Sequence, residues 1–62
     1  MRVTIIHKTK GFLTGTLINE DEQWIKFYVN QNIEVDGVRW KPGEQMNLRK
    51  SQIIGDILYN QS

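Results

Sequence analysis

Apolar residues in this chain recur at every second position, and no stretch of ten residues shows helical spacing. A period of two puts alternate side chains on opposite faces of an extended strand, whereas a helix needs a repeat of about 3.6. In Phe12–Ile18, Leu13, Gly15 and Leu17 point one way, and Phe12, Thr14, Thr16 and Ile18 the other. In Gln23–Val29, Ile25, Phe27 and Val29 form an apolar face, and Trp24, Lys26 and Tyr28 form the opposite one. The pattern commits the chain to strands with one face turned to a core.

Turn chemistry divides the strands. Ile33–Trp40 carries Asp36-Gly37 at its centre, the pair that a type I′ hairpin turn prefers because both central residues take positive φ. That turn pairs Val35 with Val38, Glu34 with Arg39 and Ile33 with Trp40. Lys41-Pro42-Gly43-Glu44 fits a type II turn, with Pro at its second position and Gly at its third. Asn19–Glu22 is a polar connection, and its Glu20-Asp21-Glu22 run reads as a solvated hairpin tip because it lacks the ligand spacing of a calcium loop. Arg49–Gln52 suits one turn of 3₁₀ helix. Val3–Lys8 and Ile53–Tyr59 supply the first and last strands, and Asn60–Ser62 is expected to fray. Gly15 and Gly55 lie inside strands, where glycine marks a bulge or bend.

The chain has 62 residues, enough for one domain that buries only ~60% of its unfolded surface. It has no cysteine, which excludes disulfides and thiolate zinc sites. Folding must therefore be unaided or helped by self-association. Met1–Lys8 does not resemble a signal peptide, and no run approaches the ~20 apolar residues of a membrane span. A soluble, cytoplasmic protein with no membrane partner is expected. Five or six short strands joined by tight turns favour an all-β, closed or nearly closed barrel.

The order of strand, short loop, two longer strands, Asp-Gly hairpin and polar turn into a last strand resembles the small SH3-like and Sm-like barrels. Leu48-Arg49-Lys50-Ser51-Gln52-Ile53 is similar to the 3₁₀ turn before their last strand. It also resembles a Pro-Lys-Ser-Gln-Ile stretch of some small phage-associated proteins, with Arg49 in place of the proline. The resemblance implies a barrel of five to six short antiparallel strands. Such barrels host nucleic-acid binders, peptide binders and assembly subunits, so the fold alone selects no function.

Catalysis has little to work with. His7 is the only histidine, read as a surface or strand-edge residue, and no glycine-rich loop precedes a helix. No enzyme, cofactor or metal site is expected. Single-stranded nucleic acid is the leading partner, because such binders join exposed aromatics to basic residues. Trp24, Lys26 and Tyr28 share a face; Trp40 and Phe12 extend the aromatic set; Arg39, Lys41, Arg49 and Lys50 are candidate phosphate contacts. The net charge of +1 gives no independent support, since basic domains have pI above ~9. A protein partner at the same aromatics, with Glu20–Glu22 as an acidic loop, is the alternative. A homo-oligomer formed by strand addition is the third reading.

Overall fold

The alternation resolves into seven antiparallel strands in a computed structural model that describes residues 1–61. They are β1 (Arg2–His7), β2 (Gly11–Glu20), β3 (Trp24–Val29), β4 (Ile33–Val35), β5 (Val38–Trp40), β6 (Gln45–Arg49) and β7 (Leu58–Asn60), with a 3₁₀ turn at Lys50–Gln52. Five of them form one sheet in the order β6-β3-β2-β1-β7, and β4 and β5 form a separate hairpin. None of the ladders among the described residues joins the β6 and β7 edges, so the expected closed barrel of five to six strands becomes an open sheet with a hairpin. The 3₁₀ turn fills the path between those edges.

The apolar faces read from the sequence meet in one core. Val3 and Ile5 of β1, Leu13 of β2, Ile25, Phe27 and Val29 of β3, and Met46 and Leu48 of β6 are buried together with Val35. Each fully buried side chain of this size stabilises by about 1.5–3 kcal/mol relative to exposure. Gly15 takes its place on this face for lack of space. A Cβ there would overlap the Phe27 ring and the Tyr28 carbonyl oxygen. The bulge lies further along, between Leu17 and Asn19, where the β2–β3 register shifts.

The β4–β5 hairpin continues the β3–β6 hairpin. Five residues inward from Tyr28↔Gln45 on each strand lies Ile33↔Trp40, so one register runs through both ladders. Between them the chain breaks at 30–32 and 41–44. Glu44 N donates to Lys41 O at 3.1 Å and Gly43 takes φ +89, as a type II turn requires. At the tip Asp36 and Gly37 take φ 51 and 82, and the three cross-strand pairs are those the turn dictates. The break lets the hairpin fold back. Val35 joins the core, and Ile33 and Trp40 pack against it.

The last strand is split, not continuous. Ile53 bridges His7, whereas Leu58 pairs with Thr4, so three steps along β1 meet five along the last segment. The excess loops out around Gly55, which takes φ +70. Asn60 ends β7, and of the tail expected to fray, Ser62 lies outside the described residues.

Candidate functional surface

The outer face of β3 collects part of the sequence-predicted set. Trp24 and Lys26 are half-buried and Tyr28 is 40% exposed. Antiparallel pairing sets Arg49 of β6 opposite Trp24, Asn47 opposite Lys26 and Gln45 opposite Tyr28. The Arg49 guanidinium carbon stands 5.1 Å from the Trp24 ring centroid, a cation–π contact. On the other flank Asn19 and Thr16 of β2 face Lys26 and Tyr28. The result is an aromatic and cationic row bordered by neutral polar side chains.

Arg39, Trp40 and Lys41 do not join this row. They line a cleft of about 280 Å³ at the hairpin, with Lys10 from the β1–β2 loop, Asn32 and Ile33. Glu34 is the one carboxylate on its lining, 3.9 Å from Arg39. Both side chains of that pair are largely in solvent, so it holds little energy. Glu44 is turned away onto its own loop, accepting from Lys41 N at 2.6 Å.

Lys50 belongs to a third place. Its ammonium lies 2.6 Å from Glu20 Oε2, and the Tyr59 hydroxyl donates to Glu20 Oε1. These contacts tie the end of β2 to the 3₁₀ turn and to β7. The Lys50 hydrogen bond, then that of Tyr59, holds the Glu20 carboxyl below the usual range. The same carboxylate pushes the Tyr59 phenol up to about 12. Lys50 thus stands already engaged, and Glu20 is a strut where a solvated tip was expected. Asp21 makes the turn itself, accepting from Gln23 N at 2.8 Å and Trp24 N at 2.9 Å.

His7 is buried, 2% exposed, where a surface position was expected. Its Nδ1 accepts from the backbone N–H of Thr9 and of Lys10, each at 3.2 Å, which places the ring proton on Nε2. Nε2 faces Asp36 Oδ2 at 3.9 Å, and Thr9 Oγ1 donates to Asp36 Oδ1 at 2.8 Å. The ring is a structural peg under the hairpin tip. Among the described residues no three of His, Cys, Asp and Glu converge as metal ligands, and no helix is long and apolar enough to cross a membrane.

Sequence reasoning grouped Phe12 with Trp24, but the sheet places it elsewhere. Phe12 pairs with Ile6, and Ile54 N donates to Ile6 O at 2.8 Å. Leu58 lies one row away, opposite Thr4. These side chains form an outward apolar patch, with Phe12 70%, Leu58 62%, Ile54 54% and Ile6 37% exposed. The outward phase of Phe12 and Ile6 in the alternation was the available signal; the approach of Ile54 and Leu58 depends on the split last strand. No protein-family model matches this chain, and neither the curated proteins nor the solved structures contain a match.

Proposed function

We propose that the chain is a non-enzymatic binding module, an opened relative of the SH3-like and Sm-like small barrels, that takes single-stranded nucleic acid on the outer face of β3. The fold assignment draws on the sheet order β6-β3-β2-β1-β7 and the 3₁₀ turn leading to the last strand. The ligand assignment draws on one observation: Trp24, Lys26 and Tyr28 stand outward on a single strand, with Arg49 stacked on Trp24. Trp24 and Tyr28, four residues apart on one strand, are separated by about 13 Å, so each takes its own base on a splayed single strand. Bases stack on aromatic rings and on guanidinium planes alike, so Trp24 with Arg49 offers one platform and Tyr28 another. Lys26 between them meets the backbone phosphate.

Tryptophan emission during titration with mixed-sequence single-stranded oligonucleotides tests this. Quenching at low salt that fades at about 200 mM is the expected result. Trp24→Ala lowers affinity by roughly 5- to 150-fold, and Lys26→Ala reduces the salt slope by about 0.7. An unchanged affinity in Trp24→Ala and Tyr28→Ala sinks the assignment.

The Phe12–Ile6–Ile54–Leu58 patch favours a second reading, a protein partner or a second copy of the chain. Binding there would be nearly flat with salt and lost in Phe12→Ser.

A further inference from the structure

We infer that the cleft beside the hairpin is a separate site for one phosphorylated nucleotide, independent of the β3-face assignment. Trp40 packs against the core and also lines the cleft, so it offers a fixed flat wall to a base. Lys10 and Lys41 line the cleft from two different segments; Arg39, on the opposite face of β5 from Trp40, stands at its solvent rim with its side chain 88% in solvent, and Glu34 is the one carboxylate on the lining among the described residues. Three cations against one carboxylate, at the cleft and its solvent rim, favour an anion. The guanidinium of Arg39 matches two phosphate oxygens at once, and the lysines add point charge. Asn32 on the lining carries both a donor and an acceptor suited to a base edge. The volume, about 280 Å³, lies near the lower end of the ~300–1,000 Å³ of small-molecule pockets, the scale of a single nucleotide.

The test uses Trp24→Phe, which leaves Trp40 as the sole tryptophan. Adenosine 5′-monophosphate, adenosine and inorganic phosphate are titrated separately, read by Trp40 emission and by calorimetry. Saturable binding of the monophosphate is expected, with adenosine and phosphate each at least about tenfold weaker. Arg39→Ala and Lys41→Ala, both at exposed positions, each weaken it by about tenfold. Absence of monophosphate binding, inorganic phosphate binding as tightly as the nucleotide, or indifference to both substitutions overturns the inference. Oligonucleotide binding that needs Trp24, found together with any of those results, leaves the β3 face standing and removes this site alone.

Discussion

Gly15→Ala separates a glycine required by packing from one that merely marks a flexible strand. Gly15 is absent from the positive-φ positions, so alanine meets no dihedral strain there. It meets matter instead. An added Cβ overlaps the Phe27 ring and the Tyr28 carbonyl oxygen, and lies 3.2 Å from Phe27 Cε2. Phe27 is fully buried and the carbonyl is backbone, so neither neighbour yields easily. Overpacking of this kind costs about 1–3 kcal/mol, offset by about 0.4–1 kcal/mol from the stiffer unfolded chain. A net loss of about 1–2 kcal/mol is expected, against a total of roughly 3–9 kcal/mol for a chain of this length. Urea unfolding followed by circular dichroism should show a lower midpoint at unchanged m-value. Phe27→Leu frees part of the space, so the same substitution in that background should cost less, with a coupling of at least about 0.5 kcal/mol. A Gly15→Ala cost under about 0.5 kcal/mol, or strict additivity with Phe27→Leu, refutes the packing argument.

Other outcomes follow from the polar contacts. Glu20 is held below its ordinary range, so its contribution is complete above about pH 4.3 and is lost as pH falls through the lowered folded value. Melting temperature should drop in acid, and Glu20→Gln should flatten part of that arm; Asp21, lowered by the Gln23 and Trp24 backbone N–H groups, keeps the remainder. Tyr59 behaves in the opposite sense: its contribution is complete below about pH 10 and is lost towards about 12. Phenolate absorbance should place that titration late, and Glu20→Gln should move it back towards about 10, the part due to burial remaining. Asp36→Ala forces alanine into φ 51 and removes the Thr9 acceptor, a loss of about 1.5–3 kcal/mol by urea unfolding. Asp36→Asn, which tolerates that φ and keeps Oδ1, should stay within about 0.5 kcal/mol of the parent.

The parts of the fold legible in the sequence are those decided locally. Asp36-Gly37 sets its own turn, the turn sets the register, and the register sets which residues face each other. Alternation likewise assigned Ile25, Phe27 and Val29 to the core and Trp24, Lys26 and Tyr28 to the outside. What stayed hidden depends on partners distant in sequence. Glu20 and Tyr59 are 39 positions apart, and nothing local marks them as a pair. Lys50 looked available because its carboxylate lies on another strand. His7 looked superficial because the segments that come up against it, the hairpin tip at Asp36 and the bridge to Ile53, are distant in sequence. The expected closed barrel is not what forms: among the described residues no ladder joins β6 to β7, and breaks at 30–32 and 41–44 set β4–β5 apart as a separate hairpin.

Those same breaks set the two tryptophans on different supports. Trp24 pairs with Arg49 of β6 on one side and its carbonyl accepts from Asp21 N at 2.9 Å on the other, so backbone hydrogen bonds of the main sheet and its turn hold the geometry around it. Trp40 stands on an arm that, among the described residues, no ladder joins to the main sheet. The arm is held by the packing of Val35, Ile33 and Trp40 and by the Thr9–Asp36 hydrogen bond. Thr9 and Lys10 are neighbours in the β1–β2 loop, and Asp36 and Lys41 both belong to the arm or its base. A phosphate held between Lys10 and Lys41 would link that loop to the base of the arm, beside the Thr9–Asp36 link at its tip. Ligand and latch stabilise the same arrangement, and each should strengthen the other by the same factor. Loosening the latch with Asp36→Ala should weaken nucleotide at Trp40 while leaving an oligonucleotide at Trp24 unaffected. Equal losses at both sites would mean that the arm and the sheet move as one body.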